Sequence, residues 1–304
     1  MSRNRDPLAD YTSAALKSSA VVLRSYSTSF GLASRLFGAC VRRQVESVYA
    51  LVRVADEIVD GVASAAGLEP DESRCRLDGF EHETEQAMAT GYSTNLVVHA
   101  FADTARRTGI GTDLTRPFFS SMRADLDQVE HTPESFAAYI YGSAEVVGLM
   151  CLKCFLHGHS LSAEEMARLE RGARHLGAAF QKVNFLRDLG EDFTSLGRSY
   201  FPGVSPANFD EAHKNRLLDD IDHDLQESRA VLRRLPRSSR LAVALAQELF
   251  AELAGRIRAT PAPELIRARV SVPNPVKVQI AAAVLTGRRG LAPSSPDTAR
   301  VEAP

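Results

Sequence analysis

The chain has 304 residues, 44% of them hydrophobic, with 36 Lys and Arg against 38 Asp and Glu and a formal net charge of -2. That length supplies the core of one large domain or two small ones, and the charge balance excludes a nucleic acid recognised by bulk charge. Cys40, Cys75, Cys151 and Cys154 lie scattered in apolar contexts, no amino-terminal run reads as a signal peptide, and no uninterrupted apolar stretch reaches the roughly 18 to 20 residues of a bilayer span; a reducing cytoplasm is expected.

Helical periodicity runs along the chain, and no alternating strand pattern interrupts it. Residues 1–10 lack such a pattern and are expected to be disordered. Val41, Val45, Val48, Tyr49, Val52, Ala55, Ile58 and Val59 recur at three- and four-residue steps, which places them on one side of a long helix. Connections are expected at 67–71, 91–95 and 109–113, where glycine and polar residues cluster. Thr132, Pro133 and Glu134 then open a helix, with a hydroxyl cap and a proline where no amide hydrogen is needed. After a connection at 157–162, Ser162 followed by Glu165 gives a second start signal. Leu169, Ala173, Leu176, Ala179, Phe180, Val183, Leu186 and Leu189 carry that helix onward. Breaks are expected at 203–208 and 260–263, and the tail 289–304, with Pro293, Ser294, Ser295 and Pro296, is expected to be disordered. About eight to ten long helices with short links predict an all-α bundle, one domain over 11–288, and no repeat array.

Two acidic clusters stand inside these apolar helices: Asp56, Glu57 and Asp60 in one, and Asn184, Asp188, Glu191 and Asp192 in the other. Asp56 and Asp60 are four apart, as are Asp188 and Asp192, so each pair stacks one turn above the other on one helix face. Acids at that spacing usually occupy a solvated face. Here the neighbours Val52, Ala55, Ile58 and Val59, and Phe180, Val183 and Leu186, are apolar, and carboxylates in such surroundings need a cation. Two such faces opposite each other would cage a divalent metal. The carboxylates and the Asn184 amide are hard oxygen donors without an adjacent His or Cys, which suits magnesium or manganese and disfavours zinc. Magnesium commonly shares its carboxylates with phosphate oxygens, and Arg53, Lys182 and Arg187 beside the clusters suit a diphosphate. The alternative for each of these cations is an ion pair with the acids along its own helix.

Motifs in a fixed order carry a family resemblance. Tyr26, Ser27, Thr28, Ser29 and Phe30, then residues 49–60, Asp125-Leu126-Asp127, residues 141–150, 181–192 and 198–202, and finally Arg267, Arg269 and Lys277 resemble the phytoene and squalene synthase family. The similarity covers residues 20–285. It implies an all-α, single-domain isoprenoid-synthase helical bundle with a central cavity, and head-to-head condensation of two allylic diphosphates. Its pattern assigns magnesium, with manganese as a substitute, to Asp56, Asp60, Asn184, Asp188 and Asp192, and catalysis to the four aspartates with Arg53 and Tyr141. Substrate binding falls to Ser27, Ser29, Phe30, Arg53, Tyr141, Gln181, Asn184, Arg187, Arg269 and Lys277. Loss of one diphosphate would leave an allylic cation, which the second molecule's alkene attacks to form a cyclopropylcarbinyl diphosphate. A second ionisation, rearrangement and proton loss would then give the linear product. Walls at Phe30, Leu149, Ala178 and Val183 are expected to exclude water from these cations.

Family members make phytoene from two geranylgeranyl diphosphates, or dehydrosqualene or squalene from two farnesyl diphosphates. Ser34, one turn after Phe30, is small enough to leave a deep channel if its face lines the pocket, which favours phytoene and the bacterial phytoene-synthase type of prenyltransferase. NADPH is then not expected, since only squalene formation requires it. A terpene cyclase would share the facing acids and the magnesium, but segment 141–150 argues for head-to-head condensation. A noncatalytic assembly factor would have lost acids that this chain keeps. Implied partners are the prenyl diphosphates and a downstream carotenoid desaturase, with no nucleic acid. So apolar a product suits a cytoplasmic enzyme in peripheral contact with the inner membrane face. The chain departs from the family pattern at Phe250, where tyrosine is common, at Thr28, where lysine is frequent, and at Glu130-His131. Cys151 and Cys154 are expected to be core residues, His157 and His159 surface residues, and Arg233-Arg234 and Arg288-Arg289 solvated helix faces.

Overall fold

A computed structural model describes residues 6–127, 130–191 and 199–290. The first part of the chain forms α1 (Pro7–Tyr26), α2 (Thr28–Ser34), α3 (Ala39–Val59), α4 (Val62–Ala65), α5 (Pro70–Thr90), α6 (Leu96–Thr108) and α7 (Thr112–Asp127). The second forms α8 (Pro133–Ile140), a π-helical turn (Tyr141–Glu145), α9 (Val146–Leu156), α10 (Ala163–Glu191), α11 (Glu211–Val231), a 3-10 turn (Leu232–Arg234), α12 (Arg237–Ala259), α13 (Ala262–Leu265) and α14 (Asn274–Leu285). Among the described residues no strand forms, only an isolated bridge between Glu130 and Ser199.

Helix starts follow the capping chemistry. The Thr132 hydroxyl accepts from the Ser135 amide at 3.2 Å and the Ser162 hydroxyl from the Glu165 amide at 3.2 Å, as their spacing predicts. Asp6 caps α1 by accepting from the Leu8 amide at 3.0 Å, with Pro7 in the first helical position. The chain is therefore helical from Pro7, inside the stretch 1–10 expected to be disordered. Gly91 and Gly109, with φ of 86° and 73°, close α5 and α6 in the left-handed conformation. Of the tail 289–304, only Arg289 and Gly290 fall within the described residues.

One apolar cluster joins Val45, Leu51 and Ala55 of α3 to Phe101 of α6, Phe118 and Phe119 of α7, Met150 of α9 and Leu245 of α12. A second joins Tyr139 of α8 to Val183, Phe185 and Leu186 of α10 and to Leu218 and Ile221 of α11. Leu176 packs on both. The run Pro133–Leu156 is, by length and composition, the one described helix able to cross a membrane. In the fold it packs against α3, α7 and α10, the position of a central bundle helix. Its crossing with α10 is set by glycine. A Cβ on Gly148 would stand 2.4 Å from the Ala173 carbonyl oxygen, and one on Gly177 would stand 2.4 Å from that of Ala144.

Between α1 and α6, His99 is buried, with its Nε2 2.9 Å from the Thr12 hydroxyl oxygen. Its Nδ1 accepts from the Ser93 amide at 3.4 Å, which places the imidazole proton on Nε2. Burial lowers the His99 pKa below the usual imidazole value, against the weaker pull of Asp103.

Candidate active site

A cavity of about 700 Å³ lies between α2, α3, the π turn, α9, α10 and α12. Each helix gives it one face. On α10 that face is Leu169, Gly172, Ala173, Leu176, Gly177 and Phe180, then Gln181, Asn184 and Arg187, so one helix lines an apolar half and a polar half. Leu169 and Arg187 are separated by about 27 Å along the helix at 1.5 Å per residue. On the facing wall, Val147, Gly148, Cys151, Leu152 and Phe155 of α9 continue the apolar chamber. Phe37 and Phe155 stack with ring centroids 5.4 Å apart at its far end.

The other end is polar and reaches solvent at Tyr26 and Arg269. Ser27 caps α2 by accepting from the Phe30 amide at 3.1 Å, which turns Ser27, Thr28 and Ser29 toward the mouth. Arg53, one turn before Glu57, is ion-paired with it and lies 4.4 Å above the Tyr26 ring. The Arg187 Nε donates to Asp188 at 2.9 Å, and the Arg269 Nε reaches the same oxygen at 2.7 Å. Lys277 lines the mouth from α14 and donates to the Thr28 hydroxyl at 3.0 Å. An ammonium is thus delivered beside Thr28, the position at which a lysine of the family pattern is missing.

Asp56 lines the cavity, and its pKa stands well above the usual carboxylate range because burial and the charge of Asp60 outweigh Arg53. Asp125 adds to that repulsion. It is buried and accepts from the Tyr139 hydroxyl at 2.8 Å and the Tyr200 hydroxyl at 3.3 Å. Asp60 follows the last residue of α3, with its amide donating to the Asp56 carbonyl at 2.7 Å. Three buried polar atoms on the cavity wall have no hydrogen-bond partner: Arg53 Nε, Ser143 Oγ and Asn184 Oδ1. An orphaned amide oxygen and a repelled carboxylate on one cavity wall are hard oxygen donors of the type a divalent cation takes. Among the described residues no three His, Cys, Asp or Glu side chains gather into a metal-holding group, and Asp192 lies outside the described residues, as does Arg198.

Several expected positions differ. Tyr141 packs against the core under the Arg174 guanidinium, 5.4 Å from its ring centre, and is not on the cavity wall. The wider π turn that begins at Tyr141 brings Ser143 and Ala144 to the wall in its place. Ser143 was missed by the sequence reading, and its only signal there is a hydroxyl in an apolar stretch. Ser34 is also off the wall, buried with its hydroxyl donating to the Gly31 carbonyl at 3.0 Å; Ala33 and Phe37 line the chamber instead. Leu149, Ala178 and Val183 sit one or two residues out of phase with the lining faces of α9 and α10 and pack into the core, whereas Phe30 does line the wall. Lys182 turns from the cavity to pair with Asp224 of α11 at 2.8 Å. Cys154 is core as expected, but Cys151 lines the chamber, and burial pushes its thiol up to about 12. Phe250 stacks on Phe180 at 3.8 Å and offers the cavity a ring without a hydroxyl.

Residues 23–275 match the squalene/phytoene synthase family. A phytoene synthase of Pseudescherichia vulneris is 29% identical over 254 residues, covering 77% of this chain and 79% of that protein. A 4,4'-diapophytoene synthase of Staphylococcus haemolyticus is 28% identical, covering 67% of this chain and 66% of that protein. Among solved structures, a dehydrosqualene synthase in complex with a ligand superposes with a TM-score of 0.78 at 23% identity, covering 93% of this chain and 99% of the other. The likeness establishes the all-α isoprenoid-synthase fold.

Proposed function

Since the chain belongs to the squalene/phytoene synthase family, we propose that it condenses two prenyl diphosphates head to head, with two geranylgeranyl diphosphates giving phytoene. The observation that carries this reading is one cavity divided into a cationic, oxygen-rich mouth and a long apolar chamber. Arg53, Arg187, Arg269 and Lys277 would bind the diphosphate oxygens, with Arg187 and Arg269 exchanging the Asp188 carboxylate for phosphate. Asp56, Asp60, Asn184 and Asp188, with Asp192, are the residues that would hold magnesium. When bound, it would neutralise the leaving diphosphate and so favour ionisation.

The walls do the rest. Aliphatic and aromatic side chains hold the prenyl chains and exclude water, which would otherwise capture an allylic cation. The stacked Phe30–Tyr49 and Phe180–Phe250 pairs border the polar end, where π faces stabilise positive charge. Ala33, small and on the wall, supports a deep chamber in the role expected of Ser34. The naming of the Pseudescherichia relative supports the longer product. The second reading, dehydrosqualene from two farnesyl diphosphates, is favoured by the Phe37–Phe155 stack, which limits chamber depth.

The test is incubation of purified protein with magnesium and each prenyl diphosphate, with and without NADPH, followed by product mass. Phytoene formed without NADPH is the expected result. A product from farnesyl diphosphate alone would select the second reading, and no hydrocarbon from either substrate would overturn both.

A further inference from the structure

On the reading of the cavity as a prenyl diphosphate site, we infer that Gly172 and Val231 together gauge the fourth isoprene unit of the substrate and so select the longer prenyl chain over the shorter. Gly172 on α10 and Val231, the last residue of α11, both line the apolar chamber. They share one space: a Cβ on Gly172 would stand 2.1 Å from the Val231 Cγ2, 3.3 Å from its Cβ and 3.5 Å from its Cγ1. The isopropyl group fills the position of the missing side chain. A β-branched side chain has few rotamers to escape into, so a methyl group at 172 would drive it into the open chamber.

The depth of this pair decides which part of a substrate it touches. Asn184 stands at the polar end of the α10 face, and Gly172 lies about 18 Å from it along the axis at 1.5 Å per residue. An extended isoprene unit, a zigzag of carbon–carbon bonds of roughly 1.5 Å, spans about 5 Å. From a reacting carbon held at Asn184, a farnesyl chain ends about 15 Å down, short of Gly172, while the fourth unit of a geranylgeranyl chain covers about 15–20 Å. The Phe37–Phe155 stack is deeper still. Gly148 abuts Ala173 and Gly177 abuts Ala144, so α9 and α10 run antiparallel and Phe155 stands about 9 Å beyond Gly172. That stack caps the chamber, whereas the Gly172–Val231 pair sits where the two substrates first differ.

Calorimetric binding of the non-reactive farnesyl and geranylgeranyl thiolodiphosphates to the full-length protein with magnesium tests the pair without requiring turnover. Gly172→Ala is expected to weaken the geranylgeranyl analogue about tenfold and to leave the farnesyl analogue within about twofold. Val231→Phe, which leaves α10 unchanged and enlarges the same wall, should show the same selective loss. In Gly172→Ala/Val231→Ala the methyl at 172 takes the space of the one removed at 231, and the geranylgeranyl affinity should recover to within about threefold of wild type. Equal losses for both analogues, no loss for either, or a double variant no better than Gly172→Ala would each overturn the inference. Product masses from the same proteins report on the reaction separately. The expected affinities without a phytoene product would keep the pair as the gauge and remove the phytoene assignment, and a wild type that binds neither analogue would overturn both.

Discussion

Asp56 is held where its own charge is disfavoured, by burial and by Asp60 and Asp125. That is poor design for stability and good design for receiving a cation, so Asp56→Ala is expected to abolish turnover while leaving the helical circular dichroism intact. Wild-type rates in that variant would sink the metal assignment. Ser143 poses the converse case, a buried hydroxyl left without a partner on the chamber wall. Ser143→Ala should raise stability by about 1 kcal/mol in urea unfolding while reducing turnover, the pattern of a residue kept for activity. His99 governs a pH effect. Its folded pKa is lowered, so the unfolded chain takes up the proton first, and its contribution, complete above the ordinary imidazole value near 6.5, is lost as pH falls. Asp56, with a raised folded pKa, contributes the opposite slope. The readout is therefore a difference: from pH 7 to 5 the wild type should lose stability relative to His99→Gln. The acids were legible in sequence because they break the rule of their own helices. Ser34 was not, because residues 33 and 34 face different neighbours and only the packing of α2 decides which one lines the cavity.

At the level of elements, the glycines of the α9–α10 crossing explain why segment 141–150 reads as it does. Gly148 and Gly177 let two backbones touch, and the wall of the chamber is built on that contact. Gly177→Ala should cost about 1–3 kcal/mol in urea unfolding, because the atom in its way is a carbonyl oxygen of the facing helix and cannot rotate aside. An unchanged midpoint would show that the helices can separate without loss. Helix starts at Thr132 and Ser162 and breaks at Gly91 and Gly109 were visible beforehand, since caps and left-handed glycines are local chemistry. The π turn was not visible. Gly142, inside it, leaves no room for a side chain against the Pro117 carbonyl, and Ser143 and Ala144, not Tyr141, reach the cavity wall.

For the molecule as a whole, a large cavity in a helical bundle leaves stability to be completed by what fills it. Magnesium with a non-reactive prenyl diphosphate analogue, at about a hundred times its dissociation constant, should stabilise the fold by about 2.7 kcal/mol, seen as a rise in melting temperature. No rise with the analogue would argue that the mouth and chamber do not act as one site. Composition and periodicity sufficed for the all-α class, but the cavity needed the tertiary packing, because lining residues come from eight helices, two short turns and the connections between them, which share no sequence pattern. The Lys277–Thr28 hydrogen bond joins positions 249 residues apart in the chain. During synthesis at about 5–20 residues per second, the mouth therefore stays unfinished for roughly 15–55 s after translation begins. A nascent chain therefore carries Asp56 and Asp188 before Lys277 exists to complete the mouth.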